Sequence, residues 1–210
     1  MGSDNNANNR IRDGVFHRGP CPRKVGTNWL LWGRVDTSFP FQGMVGPDWP
    51  CMIATYSLIV GGGYSIINYV IPETSLGDVG KFTVVGLVIA TVCSFTFAGC
   101  SEPGIVFVEL GDEEEAEQGD ALVAGAEEGK SKEKPKQQNR CRHCDVVRGS
   151  NASHCYDCNL CINGLDHHCP WTGKCIGKKN LIPFYVFLGC LSGLLIFSAL
   201  AAVLMVVKLY

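Results

Sequence analysis

Charge is missing from three long stretches of this 210-residue chain: residues 51–71, 82–101 and 182–207 hold no Asp, Glu, Lys or Arg. The runs are 21, 20 and 26 residues long. A bilayer's hydrocarbon core of about 30 Å needs about 20 apolar residues at 1.5 Å rise each, so each run is long enough to cross one. That excludes an ordinary soluble globule, although the averages (46% hydrophobic, 18% charged, net charge −2) look unexceptional. A long apolar run is missing from residues 1–50 as well. Residues 1–50 are polar and rich in Asn, Arg and Gly, which excludes a secretory signal peptide in that stretch. Position six is Asn6, where a myristoylation signal at Gly2 would want Ser or Thr.

Basic residues are scarce in 72–81, where Lys81 stands alone, whereas residues 1–50 carry six Lys or Arg and residues 102–181 carry ten. The positive-inside rule then predicts a cytosolic N-terminus and a cytosolic 102–181 segment. Large apolar residues are few from 109 to 128. That acidic stretch, with Glu113, Glu114 and Glu115, gives way to Lys130, Lys132, Lys134 and Lys136. It cannot bury enough apolar area to offset its ordering entropy, so 102–140 is predicted to be a flexible linker, acidic and then basic. Within the spans, close helix packing is the expected role of Gly61, Gly62 and Gly63 and of the small-xxx-small pair Gly189 and Gly193.

What is plentiful is cysteine. Seven of the twelve (Cys141, Cys144, Cys155, Cys158, Cys161, Cys169, Cys175) fall within 35 residues, interleaved with His143, His154, His167 and His168. Interleaved histidines point to metal rather than disulfides. Eleven candidate ligands exceed one tetrahedral site; two sites use eight and leave three over. A spare thiol beside a histidine is a candidate nucleophile, because the thiolate is the reactive form and a neighbouring base lowers its pKa. In Asp166-His167-His168-Cys169 the carboxylate can orient an imidazole that activates the thiol. Spacing alone leaves open which histidine and which cysteine are spare.

The pattern Cys141-x2-Cys144-x9-His154-Cys155-x2-Cys158-x2-Cys161-x4-Asp166-His167-His168-Cys169-x5-Cys175-x4-Asn180-x3-Phe184, with Pro170-Trp171 after the signature, resembles the cysteine-rich domain of the Asp-His-His-Cys (DHHC) protein S-acyltransferases, or palmitoyltransferases. Glu102-Pro103-Gly104 resembles that family's Asp-Pro-Gly motif with Glu for Asp. Trp32-Gly33-Arg34 and Gly46-Pro47-Asp48 are similar to the segment before the first span in plant-like members.

The resemblance implies an all-α polytopic membrane protein with a small cytosolic zinc-stapled domain. Its parts would be a cytosolic N-terminal segment (1–50), spans at 51–71, 82–101 and 182–207, a luminal loop at 72–81, the linker (102–140), the zinc domain (141–181) and a terminus (208–210). A fourth span and a Thr-Thr-x-Glu motif are expected of the family but absent up to Tyr210, which reads as truncation after the third span. Cys141, Cys144, His154 and Cys161 would hold one zinc, and Cys155, Cys158, His168 and Cys175 the other. Cys169 would be the nucleophile, His167 its base and Asp166 the residue orienting His167. Cys169 would take a long-chain acyl group such as palmitate from acyl-CoA and pass it to membrane-proximal cysteines of substrate proteins. Arg148, Lys178 and Lys179 are candidates for the CoA phosphates, and the acyl chain is expected among the spans. Lys174, where the family usually has Asn, would place a positive charge near the thiolate or contact CoA. The expected location is an endomembrane (Golgi, ER or plasma membrane), with no nucleic-acid partner. The alternative is a catalytically inactive zinc-binding membrane adaptor or truncated pseudoenzyme.

Overall fold

The computed structural model describes residues 21–34, 37, 39–107, 140–144 and 146–209. Most of the predicted linker, residues 108–139, and the first twenty residues lie outside the described set. One half of the molecule is three long helices: α1 (Trp49–Ser65), α2 (Gly77–Cys100) and α3 (Leu181–Leu209). α1 runs on through a π-helical turn at Ile66–Val70 and a 3-10 turn at Ile71–Glu73. Pro72, with no N–H to donate, cannot extend the hydrogen-bond ladder there. α2 then starts at Gly77, five residues ahead of the uncharged run, and takes in Asp78 and Lys81, which pair at 3.0 Å.

The three candidate spans, Trp49–Glu73, Gly77–Cys100 and Leu181–Leu209, are 25, 24 and 29 residues long. At about 1.5 Å per residue each exceeds a hydrocarbon core of about 30 Å. Their outward faces carry exposed Leu58, Tyr64, Phe82, Ile89, Leu195, Leu200 and Val207. A helix apolar on every side suits lipid rather than water. This is a polytopic membrane protein.

Inside the helical half, Phe95 is fully buried between Tyr56 of α1, at 4.7 Å between ring centroids, and Phe187 of α3, at 4.9 Å. The Tyr56 and Thr96 hydroxyls share a hydrogen bond of 2.8 Å. The glycines behave unequally. A Cβ on Gly63 would lie 2.4 Å from Val88 Cγ2, so α1 and α2 meet closely there, whereas Gly61, Gly62 and Gly189 face open space. Gly193 would meet only Leu87, at 3.9 Å. The expected seam at Gly189 and Gly193 is therefore not formed among the described residues.

The other half is built of short strands. β1 (Arg23–Val25), β2 (Asn28–Trp32) and β3 (Gly43–Val45) form an antiparallel meander ahead of α1. In the cysteine segment, β4 (Ala152–Cys155) pairs with β5 (Leu160–Asn163), and β6 (His167–Cys169) with β7 (Lys174–Ile176), each as an antiparallel hairpin. Metal is not the only staple, because an apolar core runs through this half. Val25, Leu30 and Met44 of the meander pack with Ile105, Leu160 and Ile162 and with the side chains of Cys155, Cys158 and Cys175. Thr27 donates to the Cys158 carbonyl from its backbone (3.0 Å) and to the Asp157 carbonyl from its hydroxyl (2.7 Å). Gly46 passes so close to the β6–β7 turn that a Cβ would lie 1.9 Å from the Gly173 carbonyl oxygen, a contact only glycine permits.

Two buried side chains join the halves. The Glu102 carboxylate, at the end of α2, accepts hydrogen bonds from the backbone N–H groups of Gly104 and Ile105 and pairs with Lys179 Nζ at 2.6 Å. That turn lays residues 104–106 along β5, where Asn163 N–H donates to Gly104 (2.7 Å) and Val106 N–H to Cys161 (2.8 Å). Glutamate thus caps the turn at the position where the resembled motif has Asp. The Asn180 amide donates to the carbonyls of Ala98 in α2 (3.3 Å) and Cys175 in β7 (3.1 Å), and its oxygen accepts from Gly177 N–H (2.8 Å). α3 starts at the next residue.

Candidate metal and thiol site

Two four-residue clusters form within the hairpins. Cys141, Cys144, His154 and Cys161 make one; Cys155, Cys158, His168 and Cys175 make the other. In each, the ligand atoms lie within 4.8 Å of one another. His154 Nδ1 is 3.1 Å from Cys144 Sγ and 3.8 Å from Cys161 Sγ. His168 Nδ1 is 3.5, 3.5 and 3.6 Å from the sulfurs of Cys155, Cys158 and Cys175. A tetrahedral zinc with Zn–S near 2.3 Å and Zn–N near 2.0–2.1 Å would separate its ligands by about 3.6–3.8 Å. Donor set and spacing therefore fit zinc at both places.

Local folding explains the interleaving. Antiparallel pairing sets His154 opposite Cys161 in one hairpin and His168 opposite Cys175 in the other. The thiols are held close enough to share protons. Hydrogen bonding with Cys161, helped by His154, brings Cys144 down to about 6, and Cys161 rises in return. The same exchange with Cys175 brings Cys158 down to about 6 and pushes Cys175 up. Sites that hold thiolates so readily are suited to a cation.

Side chains alternate along a strand, so His168 faces the second cluster while His167 and Cys169 share the opposite face of β6. Neither cluster includes Cys169, His167 or His143. Cys169 is buried, at 6% exposure, and stands directly before the turn Pro170–Thr172. His167 Nδ1 lies 2.8 Å from Asp166 Oδ2, and its ring packs edge-on against Phe184 in the first turn of α3, with centroids 5.4 Å apart. The turn after Cys169 docks on α1, where the Thr55 hydroxyl donates to the Trp171 carbonyl at 3.2 Å. β6 and the turn after it are thus wedged between two spans. His143, left over from both clusters, stacks on His154 at 4.8 Å and meets Tyr156 edge-on.

The predicted cations are in different situations. Lys178 is exposed and lines a cleft of about 540 Å3 with residues 104–107, Asn163 and Lys179. Lys179 lines it too but is held by Glu102. Arg148 is half-buried, and its Nε is buried with no hydrogen-bond partner. Lys174 is fully buried and donates to the Met44 carbonyl at 2.8 Å. Burial pushes it down to about 8, against the pull of Cys100 and Glu102. It therefore pins the N-terminal meander to β7 and is closed off from any CoA contact. Asp48 stands outside the predicted site residues. Its Oδ2 lies 2.6 Å from His168 Nε2. The only signal for it was its place in Gly46-Pro47-Asp48.

Comparison with known proteins agrees with this geometry. Palmitoyltransferase ZDHHC9 of Bos taurus and of Homo sapiens is 47% identical to this chain over 57 residues, 27% of the chain and 16% of each relative. Palmitoyltransferase ZDHHC14 of Danio rerio matches at 47% over 57 residues, 27% of the chain and 11% of the relative. The matched stretch thus spans about a sixth or less of these curated relatives. The family model described as DHHC palmitoyltransferase matches residues 134–210, which take in every residue of both clusters, the Asp166–Cys169 signature and all of α3. Over residues 134–210 the chain is thus similar to the DHHC palmitoyltransferases.

Proposed function

We propose that the protein is a membrane-embedded protein-cysteine S-acyltransferase in which Cys169 carries the acyl group. One observation supports this most. Two complete four-ligand clusters leave Cys169 as the one cysteine of 141–175 outside them, on the same strand face as His167, whose Nδ1 is oriented by Asp166 at 2.8 Å. With Nδ1–H donated to Asp166, His167 Nε2 is free to take the Cys169 proton. The thiolate attacks the thioester carbonyl of a long-chain acyl-CoA; the Cys169–acyl bond forms, the bond to CoA sulfur breaks, and CoA leaves with the proton from His167. A substrate cysteine then takes the acyl group by the same exchange in reverse. Thioester exchange is nearly isoenergetic, so the chain has to supply an activated thiol and positioning.

Zinc bound at the two clusters would fix the hairpins and supply no step. The cysteine half faces the cytosol, where acyl-CoA is found, as the Lys and Arg count suggests. Lys178 in its cleft is the best placed of the three cations for a CoA phosphate. The acyl chain would lie along the apolar hollow of about 240 Å3 lined by Phe97, Ile182, Pro183 and Val186, near the zinc-domain ends of α2 and α3. Each buried methylene there is worth about 0.8 kcal/mol.

The test is to incubate purified protein with labelled palmitoyl-CoA and look for a hydroxylamine-sensitive adduct. Wild type should label and Cys169→Ala should not, with about two zinc per chain in both. Equal labelling of the two proteins would remove Cys169 as the acyl carrier, and no label in either would leave a zinc-stapled adaptor as the better reading.

A further inference from the structure

We infer that Asp48, from the segment leading into the first span, is a positioning residue for the second metal cluster and through it for the Cys169 strand. The inference rests on the zinc and acyltransferase reading above and adds a residue to it. His168 turns Nδ1 toward three sulfurs, so Nδ1 must keep its lone pair for the metal. The ring proton then sits on Nε2, which donates to Asp48 Oδ2 at 2.6 Å. A carboxylate behind a ligating imidazole fixes its tautomer and ring orientation and strengthens it as a donor. The two residues are 120 positions apart in sequence, so the fold alone brings them together.

The backbone holds Asp48 in place for this. Its N–H donates to Gly173 O in the β6–β7 turn (3.2 Å), and its carbonyl accepts from Cys51 N–H (3.0 Å) in the first turn of α1. Gly46 makes the close approach possible two residues earlier. The first turn of α1, the β6–β7 turn and the second cluster are thereby one unit. Because His168 lies between His167 and Cys169 on β6, a ring free to rotate at 168 would loosen the two groups proposed to react.

The test uses the full chain in detergent micelles, loaded with zinc or with cadmium-113. Asp48→Asn keeps the size and the backbone bonds but removes the charged acceptor. Zinc release to a chelator should become about 10- to 100-fold faster at one of the two sites and stay unchanged at the other. In cadmium NMR, only the resonance of the Cys155, Cys158, His168 and Cys175 site should move. Asp48→Glu should recover part of the retention. If both resonances move, Asp48 acts on folding in general; if neither moves and zinc release is unchanged, it does nothing for the metal. Either result overturns the inference. Because these readouts need no acyl donor, failure of Cys169 labelling in wild type would count against the proposed function and leave this result standing.

Discussion

Replacing Glu102 with Ala should free the turn that leads from α2 into the zinc domain. The carboxylate is 1% exposed, and its Oε1 takes both Gly104 N–H and Ile105 N–H, while Oε2 meets Lys179, which is 48% exposed. A hydrogen bond to a charged group contributes about 1.5–3 kcal/mol. Two such bonds, taken at the low end, make about 3 kcal/mol, or about 150-fold in a local opening equilibrium at 1.4 kcal/mol per decade. The ion pair, half exposed at its lysine end, is worth about 0.2–1 kcal/mol, at most about fivefold. Backbone capping should therefore outweigh the salt bridge. The assay is hydrogen–deuterium exchange of peptides covering 101–107 in micelles. Glu102→Ala should accelerate exchange at Gly104 and Ile105 by about two decades, and Glu102→Gln, which keeps a neutral acceptor, by about one decade. Lys179→Met should change exchange by no more than about fivefold. The reasoning is refuted if Glu102→Ala stays within about threefold of wild type, or if Lys179→Met matches it.

Three further outcomes follow from the same contacts. Asp166→Asn, which removes the charge bonded to His167 at 2.8 Å, should slow Cys169 acylation by about 10- to 100-fold. It should leave zinc content at the wild-type value, and an unchanged rate would remove Asp166 from the mechanism. Gly63→Ala places a Cβ 2.4 Å from Val88 Cγ2 and should lower thermal stability in micelles by about 1–3 kcal/mol. Gly61→Ala, with open space around it, should be neutral or slightly stabilising, by up to about 1 kcal/mol; equal effects at the two positions would contradict the α1–α2 packing. Lys174→Ala removes the buried side-chain donor to the Met44 carbonyl and leaves a cavity. It should cost about 2–5 kcal/mol and expose 21–45 to protease, and unaltered cleavage would show that the meander docks without it.

Much of the candidate site is legible in the sequence. Ligand chemistry is a local property, and the two sets of four that the family resemblance implies within 141–175 are the two clusters that the hairpins bring together. The three uncharged runs likewise announced their helices, because a bilayer demands about 20 apolar residues of whichever chain crosses it. Lys174 went the other way. Its charge and its place next to Cys175 suggested a role at the thiolate, but its ammonium is spent on Met44, 130 residues away. The glycine pair at 189 and 193 had the right spacing for a seam, but spacing cannot say which face meets a neighbour.

By itself, then, the sequence determined the three long apolar helices and a Cys/His chemistry suited to metal, since each depends on residue type and short-range spacing. Tertiary structure alone decided that Val25, Leu30 and Met44 complete the core of the cysteine-rich half, that Glu102 and Asn180 join that half to α2 and α3, and that Asp48 stands behind His168. The reason is physical. Those contacts join segments up to 130 residues apart, and no local pattern encodes which distant carbonyl or carboxylate will arrive within 3 Å.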